Sequence, residues 1–199
     1  MKIVGLTGSI GMGKTETAGM FRDLGIPVFD ADAVVHQLQA PGGRAISQIK
    51  LAFPSVIDAG VLDRQKLGAI VFADAAEKKK LEAIMHPMVG EERAAFFSDA
   101  EKVGTPFVVV DVPLLFETGG NAACDKVIVV SAPESIQRSR VLARAGMTAE
   151  KFEHILSKQT PDADKRAGAD YIIETDKGLE HARAHVQEIV DDLTGQYGR

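Results

Sequence analysis

The segment from residue 3 to residue 24 constrains the fold more than any other part of the sequence. A short apolar run, Ile3 to Leu6, is followed by Gly8-Ser9-Ile10-Gly11-Met12-Gly13-Lys14-Thr15 and then by a helical pattern that reaches Leu24. The eight residues match the pattern G-x-x-x-x-G-K-[ST] completely. Between a strand and a helix this pattern is typical of a phosphate-binding loop, because its backbone N–H groups and the helix N-terminus attract anions. The sequence therefore predicts an α/β fold with a nucleotide site.

Each loop position has a chemical reason. Gly8 allows a sharp turn out of the strand, while Gly11 and Gly13 let the backbone approach phosphates without a Cβ. Lys14 is expected to reach the β- and γ-phosphates of ATP, and the Thr15 hydroxyl is a standard ligand of Mg²⁺. The predicted nucleotide contacts are the eight loop residues and the residue after them: Gly8, Ser9, Ile10, Gly11, Met12, Gly13, Lys14, Thr15 and Glu16.

Five short apolar runs predict the strands of the sheet. They are Ile3 to Leu6, Ile26 to Phe29, Phe107 to Val112, Val127 to Val130 and Tyr171 to Ile173. Each run is continuous rather than alternating, which is typical of parallel strands covered by helices on both faces. Strands that alternate with helical patterns favour a three-layer α/β fold with right-handed crossovers.

Two long helical segments interrupt this core, for which we predict residues 1–32, 105–134 and 168–199. Residues 33–104 contain helical patterns and no convincing strand, so they are expected to form a helical insertion beside the carboxyl edge of the sheet. Residues 135–167 form a second, basic helical segment that is expected to act as a lid. The whole chain of 199 residues is nevertheless expected to be a single domain.

Composition excludes several classes of protein. No apolar run reaches the 18 or so residues of a membrane span, and the single cysteine, Cys124, rules out an intramolecular disulfide. The net charge of −5 disfavours binding to nucleic acid. We expect a cytoplasmic protein, either a monomer or a weak homo-oligomer, that binds neither membranes nor nucleic acid.

The remaining motifs separate small-molecule kinases from nucleotide switches. The sequence has no N-K-x-D base-recognition motif, and its one D-x-x-G, Asp192 to Gly195, lies far from any predicted strand end. A kinase instead needs an acceptor site and mobile cations that close over the transferring group. This pattern favours a kinase, with a nucleotide-dependent switch as the distant alternative.

Several carboxylates and cations are candidates for that chemistry. Asp30 and Asp32 follow the second predicted strand, where one of them either takes the proton of an attacking hydroxyl or caps the next helix. Asp111 ends the third predicted strand and suits a carboxylate that holds Mg²⁺. Arg140 and Arg144 are four residues apart, so they are expected to share the face of a helix.

Taken together, the motifs resemble the dephospho-CoA kinase family over nearly the whole chain. The resemblance rests on the start Leu6 to Thr15, on L-G-I-P-V-x-D-A-D at Leu24 to Asp32, on the pair His86-Pro87, on D-V-P-L-L-F-E at Asp111 to Glu117, and on Gln137, Arg140, Arg144, Gln159 and Ala169-Asp170. It implies a P-loop kinase fold and an enzyme that phosphorylates the 3′-hydroxyl of the ribose of dephospho-coenzyme A, the last step of coenzyme A synthesis, with ATP and Mg²⁺. The alternative is another small P-loop kinase that acts on a nucleoside monophosphate or a metabolite alcohol.

The resemblance also implies roles for single residues. Asp32 would be the catalytic base, and Lys14 and Arg140 would meet the phosphates. Arg144 and Gln159 would support the nucleotide pocket. The acceptor would be bound by Asp32 together with His86, Leu114, Leu115 and Glu117. Two departures affect the adenine side: Ile155 stands where the family often has an arginine, and Ile173-Glu174-Thr175 ends the last strand without the family's frequent asparagine.

Overall fold

The computed structural model describes residues 1–198. The chain divides into two compact units, each with its own packing. We call them the core unit, which is formed by residues 1–29 and the chain from Ala100 onward, and the helical unit, which is Asp30–Asp99.

Residues 1–198 contain seven strands and nine α-helices. The strands are β1 (Lys2–Thr7), β2 (Val28–Asp30), β3 (Ile57–Asp58), β4 (Val61–Leu62), β5 (Phe107–Asp111), β6 (Lys126–Ser131) and β7 (Tyr171–Glu174). The helices are α1 (Lys14–Asp23), α2 (Ala31–Leu38), α3 (Ile46–Ala52), α4 (Arg64–Ala73), α5 (Ala75–Lys102), α6 (Glu134–Leu142), α7 (Ala149–Leu156), α8 (Asp162–Ala167) and α9 (Leu179–Tyr197).

A five-stranded parallel sheet in the order β2-β5-β1-β6-β7 organises the core unit. In the register of the central strands, Ile3 pairs with Val108 and Leu6 with Asp111. Since β1 lies in the middle, the loop that follows it emerges at the centre of the sheet's carboxyl edge, where open α/β sheets bind ligands. The predicted three-layer α/β fold with a five-stranded parallel sheet is confirmed.

The core forms because the strands carry apolar residues that helices cover. Val4, Leu6 and Ile128 are fully buried, and α1 and α9 pack over them. Helix α9 contributes Ala182, Val186 and Leu193 to this core. Gly25 has a φ of 78° just after the end of α1, which is the left-handed conformation expected of a helix-terminating glycine.

The helical unit has a core of its own. Its buried residues are Leu38, Ala45, Ile49, Phe53, Val56, Leu62, Leu67, Met85 and Met88. The expectation of a strand-free insertion was wrong, because β3 and β4 pair as a short antiparallel hairpin. The turn places Ala59 and Gly60 at positive φ, which is normally signalled by Asn-Gly or Asp-Gly and here is not. Strands of two residues are also too short to show a periodicity.

The predicted lid is three helices, α6, α7 and α8, rather than one helical segment. Gly146 at a φ of 74° follows α6, the Thr148 hydroxyl caps α7 by accepting the Lys151 N–H, and Pro161 precedes α8. Within residues 1–198, no helix combines the length and apolarity needed to cross a membrane.

Candidate active site

The phosphate loop joins β1 to α1 with three glycines at positions where a side chain has no room. Gly11 and Gly13 have φ values of 80° and 96°, which favour glycine. A Cβ on Gly11 would lie 2.4 Å from Cγ2 of Val141, and one on Gly8 would lie 2.6 Å from the carbonyl oxygen of Val130. The loop therefore packs directly against β6 and α6, and replacing either glycine would push it out of place.

Two side chains of the loop point into the protein interior. Ser9 and Met12 are buried, and the Met12 sulfur accepts the Ala132 N–H at 3.1 Å. These two positions of the motif thus contribute packing, although the sequence pattern allows any residue there.

Two glutamines hold the peptide groups on either side of Ile10. Gln137, buried on α6, donates from Nε2 to the Ile10 carbonyl at 2.8 Å. Gln159, just after α7, accepts the Ile10 N–H with Oε1 at 3.1 Å. The segment predicted as a lid therefore contacts the phosphate loop at Ile10.

Lys14 and Asp111 form an ion pair at the carboxyl edge of the sheet. Asp111 is the last residue of β5 and is only 4% exposed, and Lys14 is the first residue of α1. A buried carboxylate is stabilised by such a partner. The pair holds the lysine ammonium over the start of the helix, next to the loop that precedes it.

The arrangement also suits a magnesium ion. Thr15 is exposed at the start of α1, and Asp111 lies beside its neighbour Lys14. Among residues 1–198, no group of three or more His, Cys, Asp or Glu side chains is placed to hold a metal. Mg²⁺ in kinases needs no such cluster, because it keeps several waters and is bound through one or two side chains and the phosphates.

Arg140 is held against the loop by Thr175. Its guanidinium donates to the Thr175 hydroxyl at 2.8 Å and to the Thr175 carbonyl at 2.7 Å, while that hydroxyl donates to the Met12 carbonyl at 2.8 Å. Arg144 lies beyond the end of α6 at Leu142 and is exposed, so the expectation that the two arginines share a helix face was wrong.

The Leu114-to-Glu117 segment divides its side chains between solvent and interior. Leu114 is 42% exposed, whereas Leu115 is 2% exposed and packs on Val127 in a small cluster below the sheet edge. The Glu117 carboxylate accepts the Thr160 N–H at 2.7 Å and pairs with Lys165 at 2.9 Å. The structure thus gives Leu115 and Glu117 contacts within the core unit.

A cavity of about 620 Å³ opens beside the phosphate loop. Ser9 and Met12 of the loop, Gln137 of α6 and Gln159 before α8 contribute to its wall. Its volume lies within the range of small-molecule sites. The loop, the ion pair and this cavity together form a candidate nucleotide site in the core unit.

The helical unit contains Asp32, and the structure separates its role from that of Asp30. Asp30 caps α2, since its Oδ1 accepts the Ala33 N–H at 2.9 Å. Asp32 lies in the first turn of α2 with its side chain exposed. Because the capping role belongs to Asp30, the Asp32 carboxylate is left available for chemistry.

A cavity of about 380 Å³ in the helical unit includes Asp32 in its wall, together with His36, Gln39, Arg64 and Leu67. Arg64 donates to the His36 carbonyl at 2.9 Å and lies against the His36 ring. His86, predicted for the acceptor site, is exposed on α5 immediately before Pro87 and is not part of this wall.

Comparison with known proteins assigns the chain to a family. The family model described as dephospho-CoA kinase matches residues 2–181. The chain belongs to the dephospho-CoA kinase family. The dephospho-CoA kinase of Mesorhizobium japonicum is 53% identical over 198 residues, which is 100% of both chains. Among solved structures, TT1252 of Thermus thermophilus is 31% identical with a TM-score of 0.80, and 96% of each chain is covered.

The dephospho-CoA kinase of Campylobacter jejuni shares the fold, with a TM-score of 0.67 at 23% identity over 96% of this chain and 97% of that one. Membership of the family implies ATP as the co-substrate. The resemblance predicted from the motifs is therefore confirmed for the chain as a whole.

Sequence reasoning missed three side chains that contact predicted site residues or line a candidate cavity: Thr175, Lys165 and Arg64. Thr175 was noted only as a departure from the family, and Lys165 only as one of several basic residues in the lid. The available signal for Arg64 was a basic residue at the start of an apolar helical stretch, but it does not differ in sequence from a solvated surface charge. Their contacts come from residues 28 or more positions away, which no local pattern reports.

Proposed function

We propose that this chain transfers the γ-phosphoryl group of ATP to the 3′-hydroxyl of the ribose of dephospho-coenzyme A, which gives coenzyme A and ADP. The observation that carries the proposal is the phosphate loop with its Lys14–Asp111 pair, in a chain that matches the dephospho-CoA kinase family over residues 2–181. This is the last step of coenzyme A biosynthesis.

On the donor side, the loop from Gly8 to Thr15 binds the phosphates through its N–H groups and the N-terminal end of α1. Lys14 neutralises charge on the β- and γ-phosphates. Thr15 and Asp111 would hold Mg²⁺, which supplies further neutralisation of the transferring group. Arg140 adds a cation from α6, and Arg144 and Gln159 contribute to nucleotide binding.

On the acceptor side, Asp32 acts as the general base. The ribose 3′-oxygen forms a bond to the γ-phosphorus while the bond from that phosphorus to the β,γ-bridging oxygen breaks. The hydroxyl proton passes to the Asp32 carboxylate, and ADP leaves with the bridging oxygen. His86, Leu114, Leu115 and Glu117 stay predicted acceptor residues, with Leu115 and Glu117 the weaker candidates because of their internal contacts.

Most of the rate enhancement then comes from positioning and charge neutralisation, as in other phosphoryl transfers. Closure of the segment from residue 135 to residue 167 would exclude water, since an open site would hydrolyse ATP.

An acceptor assay tests the proposal. ADP release is measured with dephospho-coenzyme A, with nucleoside monophosphates and with no acceptor. We expect release to depend on dephospho-coenzyme A and on Mg²⁺, and to be slow with the other compounds. Equal stimulation by a nucleoside monophosphate would contradict the assignment, and slow hydrolysis that no acceptor stimulates would indicate a nucleotide switch instead.

We also propose that the enzyme works in the cytoplasm as a monomer or weak homo-oligomer that binds neither membranes nor nucleic acid. The net charge of −5 supports the last point, because a negative protein is repelled by a phosphate backbone. Light scattering at working concentration tests the oligomeric state. A molecular mass that stays that of a dimer on dilution would contradict the proposed monomer or weak homo-oligomer.

A further inference from the structure

A buried ion pair joins the loop after β5 to the base of the predicted lid. Lys165 of α8 is 0% exposed, the Glu117 side chain is 13% exposed, and Nζ lies 2.9 Å from Oε1. Burying two charges costs much of what their attraction returns, so an apolar pair would often stabilise a fold as well. Stability alone therefore does not account for the pair, and the groups that it positions are the relevant ones.

The carboxylate of this pair also holds the chain at Thr160. Glu117 Oε1 accepts the Thr160 N–H at 2.7 Å, and Pro161 then leads directly into α8. Three elements are thus joined at one oxygen atom: the loop after β5, the turn after α7, and α8. A change in the length or charge of this side chain would release the turn.

The residue before Thr160 is in contact with the phosphate loop. Gln159 accepts the Ile10 N–H at 3.1 Å, and Gln137 holds the carbonyl of the same residue at 2.8 Å. Two adjacent residues therefore make different contacts: Gln159 bonds to the phosphate loop, and Thr160 bonds to Glu117.

We propose that Glu117 and Lys165 are positioning residues for the donor half of the reaction: their ion pair fixes the turn at Thr160 and so sets Gln159 against Ile10 of the phosphate loop. The pair acts through Gln159 and does not itself touch either substrate. This differs from an acceptor-binding role for Glu117, and it rests on the proposed kinase activity only for its assay.

The chemistry of the carboxylate favours this role. Its Oε1 accepts the Thr160 N–H and lies 2.9 Å from Nζ of Lys165, and both its Oε2 and that Nζ are buried without a hydrogen bond within residues 1–198. A group that contacts a soluble acceptor needs an oxygen that the acceptor can reach. The geometry instead presents Glu117 to the interior of the core unit.

Steady-state kinetics with ATP and dephospho-coenzyme A varied separately tests the proposal. Glu117→Gln keeps an oxygen for the Thr160 N–H but removes the charge, and Lys165→Met removes the partner. Each is expected to raise the KM for ATP about tenfold, because each breaks the ion pair that strengthens the contact at Thr160. The KM for dephospho-coenzyme A is expected to stay within about twofold. Glu188→Gln, which removes an exposed charge on α9, is the matched control and should leave both constants unchanged.

A double-mutant cycle between Glu117 and Gln159 is the sharper test. Gln159→Ala should reproduce the rise in the KM for ATP, and adding Glu117→Gln to it should add little, because both changes interrupt one chain of contacts. Fully additive effects would overturn the proposal. So would a rise in the KM for dephospho-coenzyme A alone, which would assign Glu117 to the acceptor, or equal losses for both substrates, which would indicate a structural role only.

A further variant covers the case in which loss of the charge prevents folding. Glu117→Asp keeps the charge but withdraws the carboxylate by one methylene, and it should raise the KM for ATP in the same selective way. An unchanged KM for ATP in a folded Glu117→Asp protein would count against the proposal. If the wild-type protein itself released no ADP in response to dephospho-coenzyme A, the proposed function would fail instead, which separates the two outcomes.

Discussion

The phosphate loop of the core unit and the start of α2 in the helical unit differ in how their polar side chains are held. Around the loop, Lys14 pairs with Asp111, two glutamines bond to Ile10, and Thr175 bonds to both Arg140 and Met12. At α2, only Asp30 is used as a cap, and Asp32 is left exposed at the wall of a cavity.

The roles proposed for the two regions account for the difference. A triphosphate carries several negative charges on neighbouring phosphates, so preorganised N–H groups and cations stabilise it without rearranging. A general base must instead be free to accept a proton from an incoming hydroxyl. Substitutions near the loop should therefore change stability together with ATP affinity or turnover, whereas a substitution of Asp32 should change turnover alone.

The largest effect is expected at Asp32. Asp32→Asn removes the proposed base, so kcat should fall by about 10²- to 10⁴-fold. ATP binding and the melting temperature should stay unchanged, because the side chain is exposed and does not cap α2. Kinetics, ATP titration and thermal unfolding measure the three quantities. Asp58→Asn, an exposed change in the β3–β4 hairpin, is the control, and near-normal turnover of Asp32→Asn would refute the assignment.

A somewhat smaller loss is expected at Lys14. Lys14→Met removes one preorganised cation, and such a loss lowers kcat by about 10²- to 10³-fold. Because Asp111 is buried and would lose its ion-pair partner, this variant should also unfold at a lower temperature than wild type, unlike Asp32→Asn. Turnover at the wild-type rate would contradict the phosphate-loop interpretation. Lys79→Met, on the exposed face of α5, is the control.

The stability of the buried pair should depend on pH. Burial alone would raise the pKa of Glu117, but the neighbouring Lys165 ammonium and the Thr160 N–H bring that pKa below its ordinary value. The folded state therefore binds this proton less readily than the unfolded state does. The stabilisation is complete above the ordinary glutamate pKa of about 4.3 and is lost as the pH falls through the lower folded value.

Urea unfolding of wild type and Glu117→Gln measures that contribution. At pH 7 the variant should lose on the order of 3 kcal/mol, because it leaves Lys165 as an unpaired buried charge. The gap should narrow as the pH falls below 4. A gap independent of pH would show that the charge of Glu117 contributes nothing, and an equal loss in Asp32→Asn would erase the contrast between the two regions.

The smallest effect is expected at Thr175. Thr175→Val keeps the shape but removes the hydroxyl that joins Arg140 to the Met12 carbonyl, and kcat/KM for ATP should fall about tenfold. The backbone contact from Arg140 to the Thr175 carbonyl stays, which limits the loss. Thr194→Val on α9 is the control. A loss as large as that of Lys14→Met would mean that Thr175 contacts the nucleotide itself.

The strands and the donor loop were predictable because their signals are local. A continuous apolar run predicts a buried parallel strand, and the loop motif joins Gly8 to Lys14 within a few residues of sequence. The acceptor side was predicted from family resemblance rather than from chemistry, since Asp32 and Asp30 are equivalent on spacing. The β3–β4 hairpin and the breaks of the lid were missed because two-residue strands and single turns carry little periodicity.

By itself, the sequence determined the parallel sheet, the phosphate loop and the family, because hydrophobic periodicity and a short motif are properties of neighbouring residues. The tertiary structure decided that Asp30 is the cap and Asp32 is exposed, that Thr175 holds Arg140, and that Glu117 faces Lys165. Asp30 caps a residue only three positions away, so the start of α2 at Ala31 decided between it and Asp32. For Arg140 and Glu117 the physical reason is distance along the chain. Hydrogen bonds and ion pairs that bring together residues 35 to 48 positions apart depend on packing, which no local pattern encodes.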